Sequence, residues 1–286
     1  MEAPIDLKYP MPYVESGHRR LEYDGMPRRS WRLWREFSRI RSFVSVGRRF
    51  QRRAVTIHDA RHVATDYAVQ GFAQLPVPAR FRELDDPSAD PAYAVMLEGC
   101  VRELHPEVVA LEFTFALRGR GTSRRPVFDA PHLDFVPGPE GLSDQRRFAY
   151  RREGLELVAI LGTWHPIGTP RPVVDAPLCL LDASTLADRD IVPIERARRR
   201  GEEAPSKRWH GAFVRHAPRH RWYYYPKMTT SELLIFRHYT DAARPFANVH
   251  TSIISRAPRD PADTRRSCEG RVYLYAPTDS AATAAT

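Results

Sequence analysis

A succession of short apolar segments separated by turn-forming residues constrains most strongly how this chain can fold. Most of these segments lie after residue 108, and several alternate apolar with polar positions, as half-buried strands do. One helix is predicted over residues 90–104, because apolar residues recur there at every third or fourth position behind Asp90, a residue type that caps helix N-termini. Many short strands and few helices predict a mainly β fold with peripheral helices, built as a barrel or jelly roll.

Length and composition exclude several classes of protein. The 286 residues are enough for a sizeable core, and a 42% hydrophobic share beside 28% charged residues is typical of a soluble protein. The sequence has no apolar run of about 18 residues, so we expect no transmembrane segment. The polar N-terminus lacks the pattern of a signal peptide, and a cytoplasmic location is therefore expected. The three cysteines form no C-x-x-C pair, which argues against a zinc site or disulfides and predicts free thiols.

The chain is predicted to have three parts. Residues 1–53 form an N-terminal extension, residues 54–277 the main β domain, and residues 278–286 a small, polar, disordered tail. Within the extension, residues 28–53 interleave arginines with apolar residues at helical spacing, which predicts an amphipathic helix with a basic face. Only three of the 44 basic residues are lysines. This excess of arginine indicates that the net charge of +9 reflects an overall bias in amino-acid composition, and it argues against a nucleic-acid partner.

The pair His132 and Asp134 offers an imidazole and a carboxylate two residues apart. If residues 131–135 begin a strand, both side chains point to the same face and can reach one metal ion. A third ligand has to come from a distant strand, and His250, 116 residues after Asp134, is the best candidate. Two histidines and one carboxylate on one face, with open positions opposite, is the arrangement of non-haem Fe(II) oxygenases.

A candidate anchor for an anion follows the third ligand. Arg265 lies fifteen residues after His250, and Ser267 shares its face if the segment is a strand. A guanidinium binds a carboxylate through two parallel hydrogen bonds, and a nearby hydroxyl adds a third. The distal carboxylate of 2-oxoglutarate needs such an anchor, while its keto-carboxylate end would occupy two metal positions and leave one for O₂. Each motif is weak alone, and only their combination is specific.

Three other histidine patterns compete for a metal, and none is preferred; one of them, His216 with His220, lies in a proline-containing loop. The H-P-E motif at His105 lies where the predicted helix ends beside a proline, so a helix-terminus role is expected. His238 follows a predicted strand and is interpreted as part of a turn. The sequence contains no G-x-S-x-G motif, no P-loop and no G-x-G-x-x-G motif. It therefore gives no support to the functions that depend on these motifs.

At the residues of these motifs the sequence resembles a family of hydroxylases and desaturases. That family includes fungal gibberellin desaturase, the aspirochlorine-cluster hydroxylase and the bacterial cephamycin 7α-hydroxylase component. The resemblance extends over about residues 54–276. It is carried by residues 55–61 (V-T-I-H-D-A-R), 71–72 (G-F), 131–135 (P-H-L-D-F), 164–167 (W-H-P-I), 175–182 (D-A-P-L-C-L-L-D), 221–224 (R-W-Y-Y) with Met228 and Glu232, 249–251 (V-H-T) and 265–271 (R-R-S-C-E-G-R).

The resemblance implies a double-stranded β-helix, a cupin-like jelly roll, that uses Fe(II), 2-oxoglutarate and O₂. It implies an oxygenase that abstracts hydrogen from an unactivated C–H bond of a specialised metabolite, giving hydroxylation, desaturation or cyclisation. The sequence departs from the family pattern at three positions, where His165 replaces an arginine, Phe135 a tyrosine and Arg266 an acidic residue. These departures concern the identity of the substrate and leave the predicted iron ligands in place.

Three aromatic residues within the resembling segments are candidates for the substrate pocket, and ordinary packing in the core is the alternative for each. They are Trp164, Trp222 and Tyr224. Two other functions also remain open at this point. One is an Fe(II)-dependent oxidase that does not use 2-oxoglutarate. The other is a non-catalytic β scaffold that binds nucleic acid or a membrane through the arginine-rich segment.

Overall fold

Two β-sheets form the body of the protein. A computed structural model of the chain describes residues 5–14, 50–119, 130–135, 154–169, 171–194, 211–240, 247–253 and 265–278. Within these ranges the strands are β1 (Leu7–Val14), β2 (Phe50–Asp59), β3 (Phe72–Pro76), β4 (Ala110–Gly119), β5 (His132–Leu133), β6 (Leu155–Pro166), β7 (Leu178–Leu181), β8 (Ile191–Ile194), β9 (Gly211–Val214), β10 (Trp222–Tyr224), β11 (Glu232–Thr240), β12 (His250–Ser252) and β13 (Arg266–Pro277).

The helices are few and short, as expected. They comprise α1 (Tyr67–Gln70), α2 (Pro91–Leu104) and the 3₁₀ turns Ala60–His62, Ala79–Phe81, Pro87–Ala89, Ala183–Thr185 and Asp188–Asp190. Among the described residues, no helix has the length and apolar character that a membrane crossing requires. The three cysteines are free thiols, which confirms the expectation.

The two sheets carry strands from distant parts of the chain side by side. The larger sheet has eight strands in the order β1-β2-β10-β7-β12-β5-β9-β8, and the smaller has five in the order β3-β11-β6-β13-β4. Most pairs are antiparallel, and β10 pairs with β2 in parallel. The inner faces meet where Leu180 and Tyr223 of the larger sheet pack with Trp164 and Phe236 of the smaller one. The predicted jelly-roll architecture is confirmed.

Helix α2 covers the outer face of the five-stranded sheet. Asp90 caps it, since its carboxylate accepts a hydrogen bond from the N–H of Ala92. One buried face of the helix packs against the outward-facing side chains of that sheet, and it consists of Tyr93, Leu97 and Val101. Burying a side chain such as Leu97 contributes roughly 1.5–3 kcal/mol. The helix predicted from the spacing of these residues is therefore confirmed, and its packing leaves the inner face of the sheet free to form a site.

The first strand of the chain belongs to the larger sheet. β1 pairs antiparallel with β2 along its whole length, and its side chains Met11 and Tyr13 enter a core cluster with Ile57 and Trp222. The helix predicted over residues 28–53 is wrong at its end, because residues 50–53 continue the ladder with β1. Its earlier part, residues 28–49, lies outside the described residues, as does the predicted tail from residue 279 onward. The division at residue 54 stays a prediction.

Candidate metal centre

Three predicted ligands meet between the two sheets. β5 and β12 are neighbours, and His132 lies directly opposite His250 in their antiparallel pair, with ring centroids 4.2 Å apart. Asp134 follows β5, two residues after His132. The ligand atoms of the three side chains all lie within 4.8 Å of one another. The sequence had predicted that these residues converge, and the structure brings them together.

The two imidazoles present the same nitrogen to the centre of the cluster. Nδ1 of His132 lies 2.8 Å from the carbonyl oxygen of Ala130, and Nδ1 of His250 lies 3.3 Å from that of Asn248. A carbonyl oxygen only accepts, so each Nδ1 carries the proton and each Nε2 keeps its lone pair. Those Nε2 atoms lie 3.6 Å (His132) and 3.9 Å (His250) from Oδ1 of Asp134.

Burial sets the charge states that a metal ligand needs. It lowers the pKa of His132 and of His250 to about 3, so both rings are neutral at physiological pH. Burial alone would raise the pKa of Asp134. The charge of Arg271, helped by the surrounding histidines, outweighs that effect and holds the pKa well below its usual range. Two neutral imidazoles and one carboxylate are the donor set that suits Fe(II), so the residues fit the ion that the fold implies.

The second oxygen of Asp134 is held from the opposite sheet. Arg271 of β13 donates a hydrogen bond from Nη2 to Oδ2 of Asp134, and its guanidinium lies 5.5 Å above the ring of Phe135. Nε2 of His238 lies 3.9 Å from the same oxygen. Sequence reasoning assigned no role to Arg271 and expected a turn at His238, whereas the structure places both beside the candidate ligands. No local pattern could have indicated this, since the contacts join separate strands.

The predicted anchor residues Arg265 and Ser267 also lie between the sheets. Arg265 is only 2% exposed, and its Nη1 donates to the hydroxyl of Ser252 (2.7 Å) and to the carbonyl of Ala176 (2.8 Å). Its Nε and Nη2 each lie 3.3 Å from Oγ of Ser267. Ser252 follows His250 by two residues on the same strand, a spacing of about 7 Å. The guanidinium is thus tied to the strand that carries a candidate metal ligand.

A carboxylate of the chain already occupies one side of this guanidinium. Oε1 of Glu269 accepts from Nη2 of Arg265 at 2.6 Å, and its other oxygen forms an ion pair with Arg118 of β4. Burial lowers the pKa of Arg265, and the neighbouring carboxylate of Glu269 opposes that effect. An incoming dicarboxylate would therefore meet a cation that is paired with Glu269.

The three predicted pocket aromatics fall on two different sides of the larger sheet. Trp164 lies in the interior, with the Arg265 guanidinium 5.0 Å above its ring. Trp222 and Tyr224 point the other way, into the core cluster that also contains side chains of β1, so the prediction that they line the pocket is corrected. The indole of Trp222 donates to the hydroxyl of Tyr13 at 2.7 Å, and the hydroxyl of Tyr224 donates to the carbonyl of Ile5 at 2.8 Å.

Other residues singled out in the sequence lie away from the cluster. His165 faces outward toward α2, where its Nδ1 lies 3.1 Å from the hydroxyl of Tyr93. Arg266 binds Asp85 at 2.8 Å on the outer side of the sheet. His105 ends α2, as expected, and its Nε2 lies 2.8 Å from the hydroxyl of Tyr67. Of the three departures from the family pattern, only Phe135 stays near the candidate metal ligands.

The jelly roll and the buried cluster together define a class of protein, the non-haem iron oxygenases. A family model described as "Oxidoreductase/YMDC permease-like domain" (YDMC) matches residues 38–275, and the chain belongs to that family. The prediction that the chain is a non-haem iron oxygenase is confirmed. The match does not distinguish among the individual hydroxylases and desaturases that the sequence resembles.

Comparisons with individual proteins agree with this class. An alpha-ketoglutarate-dependent dioxygenase, phiK, from a fungus (Fungal sp. strain ATCC 74256) is 30% identical over 117 residues, and the alignment spans 38% of each chain. The solved structure of the iron and alpha-ketoglutarate-dependent endoperoxidase NvfI superposes with a TM-score of 0.68 at 14% identity, covering 96% of this chain and 98% of that one. A different conformation of NvfI gives a TM-score of 0.70 at 15% identity, covering 97% and 100%. At these identities the structural likeness concerns the fold.

Proposed function

We propose that this chain is an Fe(II)/2-oxoglutarate-dependent oxygenase acting on a small molecule. The observation that carries the proposal is the buried cluster of His132, Asp134 and His250, whose donor atoms lie within 4.8 Å of one another. The partial alignment with an alpha-ketoglutarate-dependent dioxygenase supports the choice of cosubstrate. We further propose a specialised metabolite as substrate and hydroxylation, desaturation or cyclisation at an unactivated carbon as outcome. A cytoplasmic location stays a prediction.

Each of the three ligands would bind iron through one particular atom. Each imidazole binds through Nε2, because its Nδ1 is committed to a backbone carbonyl. Asp134 offers Oδ1, because Arg271 engages Oδ2. Iron held by these residues would supply the oxidative chemistry, with O₂ and 2-oxoglutarate, that removes hydrogen from carbon. The buried walls around the cluster keep water from the reacting groups.

The distal carboxylate of 2-oxoglutarate is proposed to bind Arg265 and Ser267. Arg265 lies deep between the sheets, where the Trp164 ring covers one side of its guanidinium. The incoming carboxylate takes the position of Glu269 at Nη2 of Arg265. Glu269 then keeps its ion pair with Arg118, so that no buried charge is left without an opposite charge.

A second candidate function is an Fe(II)-dependent oxidase that does not use 2-oxoglutarate. One observation favours it: the Arg265 guanidinium is already paired with Glu269 and hydrogen-bonded to Ser252 and Ala176. In such an enzyme Arg265 would be a structural cation that ties β13 to β12.

Succinate formation distinguishes the two functions. The purified chain, supplied with Fe(II), 2-oxoglutarate and O₂, is expected to release succinate. We expect Arg265→Ala to raise the KM for 2-oxoglutarate about 10- to 150-fold, since it removes a charge-assisted carboxylate contact worth about 1.5–3 kcal/mol. Arg266→Ala is the matched control, because its guanidinium faces Asp85 outside the site. Substrate oxidation without 2-oxoglutarate, unchanged in Arg265→Ala, would establish the oxidase instead.

A further inference from the structure

His238 enters the site through an irregularity in strand β11. In the pairing of β11 with β6, Arg237 lies opposite Leu161 and Tyr239 lies opposite Ile160, so that residue 238 is the extra residue of a β-bulge. A bulge re-aims the side chain that it carries, and bulges are frequent beside active sites. Here the bulge turns the imidazole inward, to a place where its ring centroid is 5.0 Å from that of His250 and 6.1 Å from that of Phe135.

A glycine on the neighbouring strand makes room for this imidazole. A Cβ atom at Gly162 would lie 2.5 Å from Nε2 of His238 and 2.6 Å from Cζ of Phe236, closer than real Cβ contacts. Space, not backbone conformation, requires the glycine, since the φ angle of Gly162 is not positive. The glycine and the bulge are independent features of two strands, and both serve to place the ring of His238.

The imidazole is buried and faces one particular oxygen. His238 is 5% exposed, and its Nε2 lies 3.9 Å from Oδ2 of Asp134, the oxygen that Arg271 also engages. That separation leaves little room for a bridging water, since two hydrogen bonds of about 2.8 Å meeting at a tetrahedral angle span roughly 4.5 Å. Nδ1 of His238 has no hydrogen-bond partner among the described residues. Such a buried polar group carries a cost, and its retention points to a role.

We propose that His238 is a positioning residue that, together with Arg271, confines Asp134 so that a metal ion meets Oδ1 alone. A carboxylate with both oxygens free can bind a metal through both and fill a position that another ligand needs. The imidazole fills the Oδ2 side and turns its Nε2 toward that oxygen, and Arg271 supplies the hydrogen bond. This inference rests on the proposed function only for the identity of the metal site.

The test measures metal binding without turnover. Co(II) is titrated into the metal-free full-length protein, and its visible absorption reports both affinity and coordination number. We expect His238→Phe, which puts an apolar ring edge where Nε2 faces Asp134, to weaken Co(II) binding about 10-fold, the low end of what changing the neighbours of a metal ligand costs. We also expect weaker absorption per ion, because an extra carboxylate oxygen raises the coordination number. His238→Gln, which retains an N–H donor, should restore part of both.

A second variant displaces the ring without removing it. The methyl group of Gly162→Ala must displace the imidazole of His238, together with the ring of Phe236, and should reproduce the spectral change. His165→Phe is the matched control, since it removes a buried imidazole from the outer face of the same sheet and should leave the Co(II) spectrum unchanged. If His238→Phe fails to fold, His238→Gln and Gly162→Ala decide the question.

Two results would overturn the proposal. One is a wild-type affinity and spectrum in the folded His238 and Gly162 variants. The other is an equal loss of affinity in His165→Phe, which would mean that any buried histidine of this sheet matters in the same way. Absence of succinate from the wild-type protein would count against the proposed function and would leave the Co(II) comparison intact.

Discussion

The two faces of the five-stranded sheet carry the same residue types in different roles. On the outer face, both ring nitrogens of His165 are satisfied, by the hydroxyl of Tyr93 (3.1 Å) and the carbonyl of Thr230 (2.9 Å). On the inner face, His238 lies beside Asp134 and has a ring nitrogen with no partner in the described part of the chain. The outer face is completed by its own contacts with α2, whereas the inner face leaves polar groups that suit a ligand.

The arginines of β13 and its preceding residue show the same contrast. Arg266 points outward to Asp85, a carboxylate whose side chain is 77% exposed, in a contact of little energetic weight. Arg265 and Arg271 point inward, to Glu269 and Asp134 respectively. Alternation along one strand thus separates the outward Arg266 from the arginines that hold the site, and three substitutions test the contrast between the two faces.

The largest effect is expected at His250. His250→Phe removes one of three ligands and should reduce metal binding by more than the roughly 10–100-fold that loss of a ligand's neighbours costs. In the metal-free protein the same change should improve resistance to acid. Burial lowers the folded-state pKa of His250 to about 3, so the unfolded chain binds more protons between about pH 6.5 and 3, and stability falls as the pH falls through that window.

Metal titration and urea unfolding at pH 7, 5 and 4 measure these two results. His165→Phe is the control, because burial also lowers the pKa of His165. This substitution should therefore reduce the loss of unfolding free energy at low pH and leave metal binding as in the wild type. Loss of metal binding in both variants would contradict the division between the two faces.

An intermediate effect is expected at Arg271. Arg271→Met leaves the buried carboxylate of Asp134 without its hydrogen-bonding cation, and the metal-free protein should lose about 3 kcal/mol of unfolding free energy. Bound metal restores an opposite charge to Asp134, so the loss should shrink when Co(II) is present. Arg266→Met should cost less than about 1 kcal/mol in either state. Denaturant unfolding with and without Co(II) measures the difference, and equal losses in both states would show that Arg271 acts apart from the metal site.

The smallest effect is expected at Glu269. Glu269→Gln removes the charge that competes for Arg265, and the KM for 2-oxoglutarate should fall by about 3-fold, equivalent to about 0.7 kcal/mol. Glu98→Gln is the control, since Glu98 pairs with Arg102 on the surface of α2. Steady-state succinate formation gives both constants. A higher KM in Glu269→Gln would mean that Glu269 orients Arg265 for the cosubstrate and does not compete with it.

Short-range features of the site were predictable because local geometry fixes them. Side chains two residues apart share a face of a strand, which indicated that His132 and Asp134 act together and that Arg265 and Ser267 do so. The cap at Asp90 and the stripe of Tyr93, Leu97 and Val101 indicated α2 in the same way. The succession of short strands predicted a barrel or jelly roll, and the need for a ligand on a distant strand indicated His250; the resemblance to a family supported His250 and narrowed the fold to the jelly roll.

The strands of the larger sheet show where such prediction ends. The run Trp222, Tyr223, Tyr224 and Tyr225 is aromatic at every position, so its pattern does not reveal which side chains face the site. Pairing settles the question, because Tyr223 lies opposite Leu180, which in turn lies opposite His250. Tyr223 therefore shares the inner face, while Trp222 and Tyr224 pack in the cluster that contains side chains of β1.

The sequence by itself determined the ligand types, their two-residue spacings and the main helix, all of which depend on contacts within a few residues. Only the tertiary structure decided that Arg271 engages Asp134, that Glu269 occupies Arg265 and that His238 turns inward opposite Gly162. The physical reason is that the pairing of whole strands, far apart in the chain, sets the strand register and the positions of bulges. The identity of a single residue therefore does not specify which residue it will contact on another strand.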